Sequence, residues 1–495
     1  MLAALLVAVA LVTGPAQAGT STVGAAGIGD PYYPTYGNGG YDVSHYGIHV
    51  AYSPSTRRLS GTTVVTARAT QSLTRFDLDF VLPVSEVQVN GQEATFESRP
   101  HELVVTPATP LAPGAAMEVY VRYAGVPSQV TSEGIHPWIT TADGALAVGE
   151  PEMAAWWFPS NDHPLDKATY DVRVTTAPGV EAVGNGRLLS SSLSGSHRVW
   201  HWRENRPMAS YLAFFAVGQF RLSRSTSPSG LPVLTAVTTR GGVRASRAAH
   251  DLARTAEVIA FESRLWGPYP FEAEGGVAPA SDFGFSLENQ TRPVYGSGAW
   301  SNGSNLYVVV HELAHQWYGD SVSLRRWSEI WLNEGFATFT TWMYSERHGG
   351  GSAAALFAHV YSRHSASDPY WQLLIGNPGA HREFHQAVYS RGAMTLQALR
   401  TRVGNAHFFA IMRDWAAEHR YGHGSIPQFV ALAQRISGQH LTGLFHTWLF
   451  TPSRPAPTRA NGFPAHFTAR SAARTLPSWR KLQRVIDLTS SGQLR

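Results

Sequence analysis

The sequence predicts a multidomain α+β protein, with an antiparallel β-sandwich-like domain followed by a mainly α domain. Three observations carry this reading. A chain of 495 residues exceeds what one compact core organises, so two or three domains are expected. From Tyr41 to about Leu222, apolar residues alternate with polar ones, the period of half-buried strands. Beyond Gly242 the apolar spacing lengthens to that of helices.

Taken in order, residues 1–18 read as an export signal. Leu2 to Val12 is apolar but too short to span a bilayer, and Ala16-Gln17-Ala18 fits a small-x-small cleavage site. No Lys or Arg precedes the apolar stretch, so an N-terminal membrane anchor is the alternative. No later segment is apolar and long enough to span, and a secreted protein is expected. Residues 19–40, rich in Gly, Pro, Thr and Tyr, read as a linker. The β domain occupies 41–225. Ile48, Val50 and Tyr52 alternate with polar neighbours, as do Val119, Val121 and Tyr123, and Asn90-Gly91 and Asn185-Gly186 are hairpin-type turn signals. Helical spacing marks the domain at 230–450, notably in Ala249–Leu265, Leu306–Tyr318, Ile330–Arg347, Gly392–Val403 and Ala406–His419. A basic, Pro- and Arg-rich tail, 451–495, follows with little expected order, apart from a short helix over Lys481–Leu488 docked on the body.

Composition removes several function classes. The net charge is +4, but Pro452 to Arg495 holds seven Arg, one Lys and one Asp, a net of +7, leaving 4 − 7 = −3 for the rest. The basic excess belongs to the tail, and no nucleic-acid partner is expected. Only Lys167 and Lys481 are lysines, against 39 − 2 = 37 arginines. There is no cysteine, which excludes disulfides, thiolate metal sites and a cysteine nucleophile. Metal ligation therefore falls to His, Asp and Glu.

His311-Glu312-Leu313-Ala314-His315 follows the apolar run Leu306–Val310. On a helix, positions i and i+4 share a face, so both imidazoles can reach one ion, while Glu312 is turned about 100° away, able to polarise a water without ligating. The competing reading is a buried helix with two hydrogen-bonded histidines. Glu334, nineteen residues after His315 within Trp331-Leu-Asn-Glu-Gly-Phe-Ala337, supplies a third ligand if the chain turns through Ser321–Ser328. Two His and one Glu leave a tetrahedral zinc one open position, the mark of a catalytic site.

The segment HELAHQWYGD at His311–Asp320, followed by WLNEGFA, resembles the aminopeptidase N family of zinc peptidases (gluzincins), which includes the leukotriene hydrolases. The likeness extends over about 41–450 and takes in YDVSHY at Tyr41, WFPSNDHP at Trp157–Pro164 and PMASYLAFFAVGQF at Pro207–Phe220. It implies a saddle-like β domain joined to a thermolysin-like catalytic domain, in a secreted bacterial-type member that lacks the large enzymes' C-terminal helical domain. It further implies one Zn2+ and peptide substrates with a free N-terminus. With no capping domain, an open site tolerant of longer peptides is expected.

Glu312 is the expected general base. Tyr389, in Ala387-Val-Tyr-Ser-Arg-Gly392, matches the family's tyrosine that donates to the tetrahedral intermediate; the bland alternative is a core tyrosine with a satisfied hydroxyl. Glu288 and Asn289, in Phe285-Ser-Leu-Glu-Asn289, match the end of the Gly-x-Met-Glu-Asn motif that recognises the substrate amine, although Phe285 and Leu287 depart from it. Glu150 falls where the family carries a second amine-binding Gln or Glu, with Glu152 close by as a rival. Asp320 and Glu329 are candidates to orient the ligating imidazoles, or else solvated helix ends. His101-Glu102 imitates the metal motif, but residue 105 is valine and the setting is a strand. Two alternatives remain: a thermolysin-like endopeptidase, against which Glu288 and Glu150 argue, and a non-catalytic peptide-binding relative, against which Glu312 and Tyr389 argue.

Overall fold

Alternating side chains from Tyr41 onward build an eight-stranded sheet because one face of its inner strands must leave water. Its spatial order is Arg187–Ser194, His197–Ala209, Lys167–Thr176, Tyr41–Ser53, Arg58–Ala69, Ala116–Gly125, Val84–Val89 and Gln92–Glu93. Along Tyr41–Ser53 the buried residues are Tyr41, Val43, Tyr46, Ile48, Val50 and Tyr52, and a bulge between Val43 and His45 resets the phase. Two four-stranded sheets complete the domain. The computed structural model describes residues 22–132, 134, 136–467 and 476–490; the expected export signal lies outside them. Asn90-Gly91 closes the hairpin between Val84–Val89 and Gln92–Glu93. Asn185-Gly186 does not close one: it separates strands of different sheets, and Asn185 Nδ2 donates to Leu212 O and Gln290 O.

The second domain begins earlier than its helices imply. Phe220–Thr226, read as part of the first domain, pairs with Pro232–Thr238 in a five-stranded sheet with Glu274–Ala278, Val294–Tyr295 and Ser286–Leu287. Around it pack α1 (Gly242–Leu252), α2 (Thr255–Trp266), α3 (Leu306–Ala314), α4 (Trp331–Arg347), α5 (Ala353–Arg363), α6 (Gln386–Glu418), α7 (Ile426–Ser437) and α8 (Thr442–Leu449). Helix α6 breaks at Gly404, where φ is +82°. Helices α4 and α6 touch backbone to backbone: a Cβ on Gly392 would lie 2.7 Å from Gly335 Cα. That contact brings the turn bearing Glu334 alongside the turn bearing Tyr389.

Residues 22–40 are not a linker. Thr22–Val23 pairs in parallel with Leu73–Asp79, and Asp30, Tyr33, Tyr36 and Asn38 are buried. Asp30 Oδ2 accepts from Trp327 N at 2.9 Å and lies 3.2 Å from His163 Nε2, while Tyr33 donates to Glu383 Oε1 at 2.9 Å. The segment therefore fastens the β domain to the helical one. Its Gly and Pro content mimics a spacer, but its aromatic and acidic side chains have partners too distant in sequence for local pattern to reveal.

The tail is also more ordered than its composition implies. Phe463 is buried against Phe357 and Trp448, and α9 (Trp479–Thr489) docks on the second domain with Trp479, Leu482, Val485, Ile486 and Thr489 inward. Among the described residues no helix is long and apolar enough to cross a membrane.

The crossing of α4 and α6 yields a test. Gly392→Ala places a methyl where backbone stands at 2.7 Å, an overpacking expected to cost about 1–3 kcal/mol. Thermal unfolding should show a clearly lower Tm; an unchanged Tm would mean the helices separate without penalty.

Candidate active site

Helix α3 is buried all round. Leu306, Val308, Val309, Val310, Leu313 and Ala314 leave no solvent face, so His311, Glu312 and His315 are interior residues despite their polarity. Its start is held by Asp251 of α1, whose carboxylate accepts from Asn305 N at 2.8 Å. The chain turns after Tyr318 and returns as α4, placing Glu334 Oε2 at 3.2 Å from His311 Nε2 and 3.5 Å from His315 Nε2. The two rings stand 5.0 Å apart and nearly perpendicular.

These separations fit a single ion. Ligand atoms about 2.1 Å from a tetrahedral zinc are roughly 3.4 Å from one another, close to the spacing seen. The donor set of two neutral-capable imidazoles and one carboxylate is a zinc set. His315 Nδ1 lies 3.1 Å from the Tyr318 carbonyl, which fixes its ring so that Nε2 faces Glu334.

The charge around this group is one-sided. Glu150, Glu288, Glu312, Glu334 and Asp320 are all buried beside the two histidines. Burial, then Glu288 and Glu334, push Glu150 well above the ordinary carboxylate range. Burial, reinforced by Glu288 and Glu334, does the same to Glu312. Burial also opposes ionisation of Glu334, but His315 and His311 overcome it and hold this carboxyl at about 2. Burial lowers His311. For His315 burial works in the same sense, yet Glu288 and Glu334 outweigh it and raise the imidazole well above its usual value. Positive charge is what this enclosure favours.

The structure brings the predicted amine-binding residues together from two domains. Glu150 comes from the β domain, and among the described residues neither of its carboxylate oxygens has a hydrogen-bond partner. Its rival Glu152 faces elsewhere, 2.8 Å from His101 Nε2, in the buried polar cluster that absorbs the His101-Glu102 imitation. Glu288 sits at the end of the edge strand Ser286–Leu287, with Oε1 accepting from Tyr211 at 3.3 Å. Glu288, Glu312 and His315 also converge, with ligand-type atoms within 4.8 Å. Asn289 holds the loop: its Nδ2 donates to Leu212 O at 3.0 Å. Tyr389 stacks beside His311 with ring centres 6.0 Å apart. Burial, with Glu334 and Glu150 near, keeps its phenol protonated far above neutral pH.

Two expected orienting residues do other work. Asp320 Oδ2 accepts from Gln316 Nε2 at 2.7 Å instead of meeting an imidazole. Glu329 caps α7, accepting from Ile426 N at 2.8 Å, and faces Arg325 and Arg326. Nor is the site open: His311, Glu312, Glu334, Tyr389 and Glu288 are each at most 1% exposed.

Sequence reasoning missed Gln316 and Lys167. Gln316 Nε2 also donates to Glu288 O at 3.0 Å, and its Oε1 accepts from Thr291 N at 2.8 Å, tying the amine-binding loop to α3. Lys167 Nζ crosses from the β domain to donate to Asp320 O and Ser321 O at 2.7 and 3.1 Å. A lone lysine in an arginine-rich body was a signal: a compact ammonium suits two converging carbonyls better than a planar guanidinium.

A two-domain fold with a His-His-Glu set on crossing helices defines a metallopeptidase of the gluzincin type. The peptidase M1 N-terminal domain family matches residues 43–212, and the peptidase family M1 domain matches residues 296–448. The chain belongs to the M1 family of peptidases. It is 24% identical over 345 residues to aminopeptidase M1 of Arabidopsis thaliana, a match covering 65% of this chain and 37% of that one. Likewise it is 24% identical over 416 residues to probable aminopeptidase 1 of Sulfurisphaera tokodaii, covering 78% and 50%. The chain thus spans half or less of the length of these relatives. Among solved structures, the M1 zinc metallopeptidase of Deinococcus radiodurans superposes with a TM-score of 0.75 at 26% identity, over 87% of this chain and 99% of that one. A mutant of that protein was solved with a Tyr-Ser-Ala substrate.

The burial of Lys167 makes a pH prediction. Burial pushes its ammonium from 10.5 down to about 7. Between those values the unfolded chain binds more protons than the folded one, so this residue's contribution to stability grows as pH rises. The unfolding free energy of wild type relative to Lys167→Met should rise from pH 7 towards pH 10; a difference independent of pH in urea titrations would contradict it.

Proposed function

We propose that the chain is a zinc-dependent aminopeptidase that removes N-terminal residues from peptides. The observation that carries this is the approach of two buried carboxylates beside the His311–His315–Glu334 set: Glu150, with no hydrogen-bond partner among the described residues, and Glu288, near enough to push Glu150 up. Zinc held by those three residues supplies Lewis acidity, activating water at neutral pH and polarising the carbonyl under attack. A free α-ammonium donates to carboxylates and relieves their mutual repulsion, so Glu150 and Glu288 select a chain end over an internal peptide bond. Glu312, next to the ligand face of α3, takes the proton from the attacking water and returns it to the departing amine. Tyr389 remains protonated and donates to the oxyanion. Gln316 and Asn289 hold the Glu288 loop at its distance from α3. The aminopeptidase names of the relatives support the same reading.

Aminoacyl fluorogenic amides, free and N-acetylated, test it. Release is expected from free amines only. Glu312→Gln should keep its zinc by elemental analysis yet lose about 10²–10⁴-fold in kcat, whereas His315→Ala should lose the metal. Glu288→Ala should act mainly through KM. Equal cleavage of acetylated substrates would make the protein an endopeptidase.

We further infer action outside the cytoplasm, supported by the apolar stretch Leu2–Val12 and Ala16-Gln17-Ala18. N-terminal sequencing of protein from the growth medium should begin at Gly19; an intact Met1 in the membrane fraction would favour an anchor.

A further inference from the structure

Helix α9 packs beside the residues of the proposed active site. Helix α9 lies against α3, α6, the strand Ser286–Leu287 that leads into Glu288, and the turn Ser297–Trp300. Its inward residues Trp479, Leu482, Val485, Ile486 and Thr489 recur at three- and four-residue spacing, an amphipathic stripe. Polar contacts fix its direction. Ser478 Oγ lies 2.8 Å from Ser345 Oγ at the start of the helix, and Arg484 Nη2 donates to Gly298 O at 2.7 Å midway and also to Ser301 Oγ. At the far end Tyr389 donates its phenolic proton to the Thr489 carbonyl at 3.0 Å.

That last bond is the telling one. Carbonyls in the last turn of a helix have no partner within the helix, so each needs a donor from outside. For Thr489 the donor is the one phenol that the proposed reaction needs for its oxyanion. A peptide carbonyl on Tyr389 is what a bound substrate presents, and one hydroxyl proton serves one such acceptor at a time. Thr489 itself is 2% exposed, and Tyr389, Glu312 and Glu288 are as enclosed as the core. An isolated helix of eleven residues is marginal in water, so α9 owes its order to this seat.

We propose that residues 476–490 are a built-in ligand of the substrate cleft: α9 competes with peptide substrate for Tyr389, and turnover requires its displacement. The inference rests on the proposed peptidase reading and adds self-inhibition to it. A docked fraction of 90–99% would lower apparent substrate affinity about 10- to 100-fold.

The full-length chain carries the test. Because the sequence has no cysteine, Ser345→Cys with Ser478→Cys creates one pair, at a spacing of hydroxyls (2.8 Å) that a disulfide can close. Oxidation should pin α9 and suppress hydrolysis of free aminoacyl amides, and reduction should restore it. Leu482→Asp with Ile486→Asp should unseat the helix and raise kcat/KM about 10- to 100-fold, and a synthetic peptide of residues 476–490 should then inhibit competitively. Equal rates in oxidised and reduced forms, with no gain on unseating, would overturn the inference while leaving the proposed activity intact. Hydrogen exchange of amides 479–489 supplies a readout independent of turnover. Saturating leucine hydroxamate should deprotect them in the wild type, and unchanged protection would overturn displacement even if no form of the chain hydrolysed the amides, a result that would separately refute the peptidase reading.

Discussion

Five buried carboxylates gather near two imidazoles, and among the described residues His311, His315 and Lys167 offset only part of that charge. Lys167, the nearest lysine, spends its ammonium on backbone carbonyls of Asp320 and Ser321. Burying such a cluster is costly unless cations enter it, and the rest of the architecture follows from making that cost bearable. Helix α3 is buried and apolar apart from His311 and Glu312, so that packing around the cluster is dense, and α4 and α6 meet at paired glycines so that Glu334 and Tyr389 share one small volume. The two kinds of cation that would balance the site, a divalent metal and an α-ammonium, are the two that the proposed reaction brings.

The two domains are therefore not separable modules. Glu150 belongs to the β domain and Glu288 to the helical one, and their approach depends on the seam between them. Asp30, Tyr33 and Lys167 each cross that seam, and Asn185 reaches from the β domain to the carbonyl of Gln290 beside the Glu288 loop. The N-terminal segment acts as a strap: its residues contribute little regular structure, but they fix the angle at which one half of the amine pocket faces the other.

Much of this was legible in the sequence, for physical reasons. The metal set was readable because i, i+4 spacing on a helix is a local rule, and the β-to-α change because period two and period 3.6 differ over a few residues. What escaped lacked a local period. The five-stranded sheet of the second domain includes two-residue strands and the glycine-rich Glu274–Ala278, which carry no alternation. The strap and Gln316 act through partners chosen by the fold. For Glu329 the sequence left two readings open, because a glutamate next to a ligand-bearing helix looks the same whether it faces the imidazoles or meets the end of another helix, as it does at Ile426. In the tail the helix expected over Lys481–Leu488 is present as α9, because its apolar stripe is a local period, whereas the burial of Phe463 depends on partners that the fold supplies.

The scarcity of lysine has a practical side. Of the two in the sequence, Lys167 is half-buried in the seam with its ammonium bonded to two carbonyls, while Lys481 is exposed on the outer face of α9. Amine-directed chemistry thus meets one fully exposed lysine side chain, on the helix that packs against α3. A dye attached there would convert an incidental bias of composition into a gauge of how far that helix stands from the rest of the protein.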